Sequence, residues 1–256
     1  MLQAHSILWH YLWVAPNILL LVLGFLSWQR RLYTDYPVFF AFAVISAIEQ
    51  LIAYAADVMP SVTPHTWWLI FWACLVVEGL LKFALIGEIF AHAFDPYPSI
   101  AKHGKILIRS FGIFLVFTAS IAASRAPQDS LFGIVNGAHL LQQAIYLIES
   151  GLLVFIFAFL KYFRLSGMRA TFGIALGLAV SACVHLATWA VAANSGLPAS
   201  KRPVLDFLNM LAYHACVLIW FYYLLVPAKA ATKSAVPLPE NDLDLLNREL
   251  ERLVHP

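Results

Sequence analysis

At 256 residues, 62% of them hydrophobic and only 12% charged, the chain is too apolar for a water-soluble domain, in which roughly 25% of residues would be charged. A net charge of +2 gives no reason to expect a nucleic-acid partner. Its three cysteines, Cys74, Cys183 and Cys216, all fall inside apolar runs, so no disulfide framework is implied and the redox compartment is not legible from them.

A helix needs about 20 mostly apolar residues to cross a bilayer. Seven runs qualify, at approximately 8–28, 37–58, 67–93, 105–124, 134–160, 169–194 and 204–226, and together residues 1–227 read as one seven-span transmembrane domain. Met1 to Ser6 lacks the basic region of a signal peptide and no clear small-x-small cleavage pattern follows, so the first run reads as a retained helix. Short loops predict a compact all-α bundle. Pro37, Pro60, Pro64, Pro96, Pro98, Pro127, Pro198, Pro203 and Pro227 fall at or between helix ends, whereas Pro16 lies inside the first span and predicts a kink there.

Lys and Arg set the orientation. One set of loops carries Arg30, Arg31, Lys102, Lys105, Arg109, Lys161, Arg164 and Arg169, and the tail adds Lys229, Lys233, Arg248 and Arg252. The opposite set carries only Arg125, Lys201 and Arg202. The bias predicts the N-terminus outside and the C-terminus in the cytoplasm. Trp9, Trp67, Trp68 and Tyr223 lie near span ends, where interfacial anchors belong.

The composition changes after Pro227. Residues 228–239 read as a linker, and residues 240–254 as a short amphipathic helix with Leu243, Leu246, Leu250 and Leu253 on one stripe and Asn241 as N-cap. It would lie on the membrane surface, pack on its own bundle, or bind a protein partner or a second copy. No internal repeat is evident, which weakens the inverted-repeat transporter architectures.

Three spans carry one polar stripe each. By helical rotation, Cys74, Glu78, Lys82, Glu88 and His92 of the third span fall within about 120°. His139, Gln142, Gln143, Tyr146, Glu149 and Ser150 share a face of the fifth, and Ser46, Glu49, Gln50, Tyr54 and Asp57 share a broader face of the second. Ionisable groups in hydrocarbon are costly, so these stripes face the bundle interior. From the outer ends, Glu49, Glu78, Gln142, Gln143, His185 and His214 lie roughly 12–16 Å deep, and Lys82 and Glu149 about 22 Å deep. Glu88 and His92 reach the cytoplasmic edge.

Glu78 and Lys82, at i,i+4 with Glu first, suit an ion pair within one helix, and Glu149 competes for the same lysine. One lysine does not neutralise Glu49, Glu78 and Glu149 together, so a proton, a cation or the histidines must balance them if they face one cavity. Gly173, Gly177, Ser181 and His185 recur every four residues, predicting close helix approach with His185 turned inward. In the seventh span Asp206, Asn209, Tyr213, Cys216 and Trp220 share a face, and His214 lies about 100° from its centre.

Specific chemistries find few footholds. A retinal protein needs a lysine in its last helix, and 204–226 has none. His185 and His214, at similar depth, could ligate one haem. Glu88 and His92 have metal-ligand spacing, without an obvious third ligand. Neither Cys183 with His185 nor His214 with Cys216 can chelate one ion, because i,i+2 side chains on a helix diverge. Catalytic residues and a resident cofactor are therefore not assigned.

Gly87-Glu88-Ile-Phe-Ala-His92 followed by Phe94-Asp95-Pro-Tyr97, Phe172-Gly-Ile-Ala-Leu-Gly177, Leu218-Ile-Trp220-Phe-Tyr-Tyr-Leu and the tail Leu246-Asn-Arg-Glu-Leu-Glu-Arg-Leu253 together resemble a family of uncharacterised seven-span proteins from bacteria of the acidobacterial type. The resemblance covers nearly the whole chain and brings no activity with it. It implies a bacterial inner membrane. The expected protein is a sensor or ligand-binding protein whose pocket is formed by Glu49, Glu78, His139, Gln142 and His185, with Lys82 and Glu149 as its floor. His214 is a further candidate, and the Glu88–His92 edge and the tail would be the output or assembly surface. An ion- or proton-coupled transporter is the alternative, and an intramembrane metal- or haem-dependent enzyme ranks third.

Overall fold

The computed structural model describes residues 6–95, 131–162, 169–194 and 202–226, together with positions 106, 110, 113 and 117. These residues form six long helices and no strand: α1 (Ile7–Gln29), α2 (Pro37–Val58), α3 (Pro64–Ala93), α4 (Leu131–Tyr162), α5 (Arg169–Asn194) and α6 (Arg202–Leu225). All six are long and apolar enough to cross a membrane. The expected span at 105–124 lies outside the described residues except for its four described positions, which are helical. The tail at 228–256, with its amphipathic segment, lies outside them as well.

Local chemistry sets the ends. Ser6 accepts the Trp9 N–H at 3.3 Å and caps α1. Thr63 does the same for α3, accepting the Thr66 N–H at 3.2 Å, and Pro64 at the first position has no N–H to leave unpaired. That cap is why α3 starts at Pro64 rather than at the expected Trp67. At the other end of α1, the Leu32 N–H reaches the Ser27 carbonyl at 2.9 Å and the Arg31 N–H reaches Trp28 at 3.0 Å, with Arg31 at φ 57°. This is the reversed pair of bonds that closes a helix through one left-handed residue, here an arginine where glycine is commonest. α1 continues through Pro16, and the Asn17 side-chain amide donates to the Trp13 carbonyl at 2.6 Å.

The helices close a ring in chain order, with α6 returning to α1, and α3 also touches α5 across the interior. α5 and α6 approach most closely. A Cβ at Gly173 would collide with Tyr223, and one at Gly177 with the Trp220 indole. The Trp220 Nε1–H then donates to the Ile174 carbonyl at 3.1 Å. Two residues expected as interfacial anchors are used inside instead: Trp9 is buried with Leu12 and Phe207, and Tyr223 packs on α5.

Contacts fix the chain directions. Phe157 meets Phe172 while Tyr146 meets His185, so α4 and α5 are antiparallel. The end of α3 meets the start of α2 through Glu88 and His92, and Tyr36 reaches Thr171 at the start of α5. Consequently α3 and α4 run in the same direction. The end where α1, α3, α4 and α6 begin is called the first end below, and the opposite one the second.

The two halves differ in chemistry. Toward the second end the interior is mostly apolar, with Leu85, Ile86, Ile89, Leu153, Ile156 and Ile174 no more than 1% exposed and Ser27, Glu88 and Thr171 as buried polar side chains there. The outward faces are apolar too: Ile18, Phe25, Ile48, Leu147, Val154 and Leu218 are all exposed. A perimeter of this kind suits contact with a bilayer.

Candidate functional site

Lys82 sits at the centre of the bundle, 5% exposed. Its Nζ lies 3.0 Å from Glu78 Oε1, one turn earlier on α3, and 3.5 Å from Glu149 Oε2 on α4. It also lies 4.5 Å from the centroid of the Tyr146 ring, the negative face of which attracts an ammonium. The matching depths expected for Lys82 and Glu149 are thus realised as contact. Two carboxylates share one ammonium, and they share it unequally. Glu149 is 1% exposed, and neither of its oxygens accepts a hydrogen bond among the described residues.

Tyr146 carries the cluster toward α5. Its ring stacks on His185, with centroids 4.3 Å apart and planes 24° apart, and Gln142 lies one turn earlier on the same helix. The His185 Nδ1–H donates to the Ser181 carbonyl at 2.9 Å, which leaves Nε2 as the acceptor nitrogen of the neutral ring. Further toward the first end, the Thr188 hydroxyl lies 2.8 Å from Asn209 Oδ1 on α6. On the same face of α6, Tyr213 donates its hydroxyl to Asn17 Oδ1 at 3.2 Å, joining α6 to α1. Across α2 and α3, Cys74 Sγ lies 4.0 Å from the Glu49 carbonyl, and the Glu49 carboxylate is within Coulombic reach of Glu78.

The structure therefore brings together Glu78, Lys82, Glu149, Gln142 and His185, with Glu49 beside Glu78. His139 lies on α4 on the turn before Gln142, but its side chain is outside the described residues. His214 stands apart, its ring facing Tyr11 of α1 at 6.1 Å. His185 and His214 thus address different helices, the first stacking on α4 and the second facing α1. His185 also departs from the expected glycine face. Steps of four residues each turn the helix a further 40° or so, so twelve residues beyond Gly173 the row has swung by about 120°, from α6 to α4.

Glu88 and His92 form a second, separate arrangement. Glu88 is 8% exposed, and its two oxygens accept the backbone N–H groups of Val38 at 2.8 Å and Phe39 at 2.9 Å. Those are the unpaired donors at the start of α2, where Tyr36 supplies no side-chain cap and Pro37 has no N–H. The His92 Nδ1–H donates to the Glu88 carbonyl at 2.9 Å, and its ring stacks on Tyr36, whose hydroxyl bonds Thr171 at 2.9 Å. Glu88 is thus a buried joint between α3 and α2, while His92 beside it is half-buried. Nearby, Arg30 donates to the Leu225 carbonyl at 2.8 Å and Arg169 lies over Tyr222 and Tyr223, so cations sit at the carbonyl end of α6.

Residues outside the sequence-based candidate set complete the polar half. Asn17, 1% exposed, follows a mid-helix proline and so reads locally as part of a kink. Asn209 and Thr188 each read as ordinary packing polars until the two helices are superposed. Among the described residues no three His, Cys, Asp or Glu side chains are grouped to hold one metal ion. No protein-family model, curated protein or solved structure matches the chain.

Proposed function

We propose that the chain is a ligand-binding membrane protein of the sensor type, with a polar pocket in the first half of the bundle and an apolar seal in the second. The observation that carries this reading is the asymmetry of the interior. Polar contacts run from Lys82 and Glu149 through Tyr146, His185, Thr188 and Asn209 toward the first end. In the opposite direction Leu85, Ile86, Ile89, Leu153, Ile156 and Ile174 fill the interior. A recess closed on one side suits binding better than passage. The pocket floor is Lys82 with Glu78 and Glu149, and its walls carry Glu49, Gln142 and His185.

The topology in this reading has seven spans, N-terminus outside and C-terminus cytoplasmic. The parallel course of α3 and α4 supports it, because the chain between them must return along the bundle, and positions 106, 110, 113 and 117 are helical with exposed side chains. The first end then faces outward, and the basic second end, with Arg30, Arg31 and Arg169, faces the cytoplasm. The proposed location is a bacterial inner membrane, with 240–254 available there to a protein partner or a second copy.

Native mass spectrometry of the protein purified in mild detergent tests this. A small molecule should co-purify with the wild type and be lost from folded Glu149→Gln and Lys82→Met variants. A ligand-free protein with solute flux in liposomes that depends on Glu149 would instead establish the second reading, an ion- or proton-coupled carrier. The excess of carboxylates over ammonium groups at the floor favours that alternative.

A further inference from the structure

We infer that Glu149 holds one exchangeable positive charge, a proton or a monovalent cation, and that its arrival and departure switch the partner of Lys82. This deepens the pocket reading above and rests on it. Four observations converge on Glu149. Its carboxyl is 1% exposed in the middle of a helix that crosses the bundle. Neither oxygen accepts a hydrogen bond among the described residues. The one nearby cation among the described residues, Lys82, is closer to Glu78, at 3.0 Å against 3.5 Å. That cation also lies over the Tyr146 ring, which fixes its direction.

Among the described residues, the remaining charged and titratable groups around Glu149 do not supply the balance. From α3 come Glu78 and Lys82, and from α4 itself Tyr146. From α5 comes His185, held off by the intervening Tyr146 ring and engaged through Nδ1 with Ser181. From α6 come Tyr213, committed to Asn17, and buried Cys216. Counting formal charges, two carboxylates and one ammonium leave the cluster one unit negative, and Glu149, 1% exposed against 21% for Glu78, is the carboxylate that water screens least.

Binding of a proton adds it to a Glu149 oxygen, turning carboxylate to carboxylic acid, and the cluster goes from one negative charge to none. No protein bond breaks. A monovalent cation achieves the same neutrality by sitting against the same oxygens. In either case Glu149 ceases to compete, Lys82 pairs with Glu78 alone, and the ionic tie between α3 and α4 is released. When the charge leaves, Lys82 is shared again and the tie re-forms. Because α3 also carries Glu88, six residues further on and bonded to α2, a change in how α3 is held at Lys82 has a mechanical path to the second end.

The test uses the full chain in lipid nanodiscs. Infrared difference spectra between acid and alkaline buffer are recorded for the wild type, Glu149→Gln, Glu149→Asp, Glu78→Gln and Glu49→Gln. Melting temperatures are compared in sodium chloride, potassium chloride and choline chloride at equal ionic strength. If the charge is a proton, a carboxylic-acid carbonyl band titrates in the wild type, shifts in Glu149→Asp, vanishes in Glu149→Gln, survives in Glu49→Gln and moves to lower pH in Glu78→Gln, where Lys82 is left to Glu149 alone. If it is a metal cation, that band is absent and melting responds to sodium or potassium but not to choline, a response lost in Glu149→Gln. A folded wild type showing neither signal overturns the inference, as does either signal persisting in folded Glu149→Gln. Should Glu149→Gln fail to fold, the wild-type signals and the band position in Glu149→Asp decide alone. A co-purified small molecule with no charge exchange would keep the pocket reading and remove only this inference.

Discussion

Glu88, near the end of α3, accepts the backbone N–H of Phe39 at the start of α2 at 2.9 Å, and its other oxygen takes the neighbouring Val38 N–H at 2.8 Å. One carboxylate from another helix thus does what an N-cap serine or aspartate does locally, and its negative charge also meets the positive end of the α2 dipole. Glu88→Ala should leave two buried donors unpaired and cost about 2–4 kcal/mol. Glu88→Gln, which keeps one acceptor, should cost about half as much. Thermal unfolding followed by helical circular dichroism in detergent measures both. Equal stability of Glu88→Ala and wild type would show that the α2 terminus finds other partners.

The asymmetry at Lys82 yields a second expectation. Removing the lysine alone strands two carboxylates, whereas removing one carboxylate with it returns the cluster to its wild-type net charge. Lys82→Met should therefore destabilise by about 3–5 kcal/mol, the usual cost of breaking one side of a buried ion pair. The double variant Lys82→Met/Glu149→Gln should recover part of that loss. A double-mutant cycle on melting data reads the coupling, and strictly additive effects would mean that the 3.5 Å contact between Lys82 and Glu149 carries no energy.

The helices and the central pair were readable from the chain for simple reasons. Apolar runs of span length have no other stable use, and residue rise alone placed Lys82 and Glu149 at one depth. The role of Glu88 was not readable, because its partner Val38 is fifty residues away and backbone donors leave no side-chain signature. One indirect signal did exist. α2 begins Tyr36-Pro37 with no Ser, Thr, Asp or Asn cap, so its donors had to be satisfied from elsewhere. His185 turns inward as expected, but onto Tyr146 of α4 and not onto α6 with the glycines, because a four-residue repeat winds around the helix. Asn17 and Asn209 acquire meaning only through Tyr213 and Thr188 on other helices.

The contact between α5 and α6 depends on two missing side chains. At Gly177 a methyl group would run into the Trp220 indole, which is fixed by its bond to the Ile174 carbonyl. Gly177→Ala should force the helices apart or turn the indole, at a cost of about 1–3 kcal/mol. It should also free the Trp220 N–H, which a change in indole environment would report. Comparison with a Trp220→Phe background isolates that signal from the other tryptophans. By contrast, no atom of the described residues lies within 4 Å of a Cβ at Gly151, so Gly151→Ala should be neutral or slightly stabilising through helix propensity. Similar losses at both positions would contradict the close-packed contact.

The three cysteines offer a direct reading of where water enters. Cys74 is half-buried beside the Glu49 carbonyl in the polar half, Cys183 is exposed on the apolar perimeter and Cys216 is fully buried. Only a thiolate reacts with charged thiol reagents, and a thiol in hydrocarbon does not ionise to meet one. Single-cysteine variants in sealed liposomes, treated with a membrane-impermeant reagent, should therefore label at Cys74 and stay unlabelled at Cys183 and Cys216. Labelling at Cys74 should slow when a pocket ligand is added, because the same recess holds Glu49 and Glu78. If Cys74 is inert while the protein is folded and correctly inserted, the polar half is closed to water and the pocket reading loses its entrance. If Cys183 labels instead, the face taken as lipid-exposed lines an aqueous path, and the carrier reading gains the advantage.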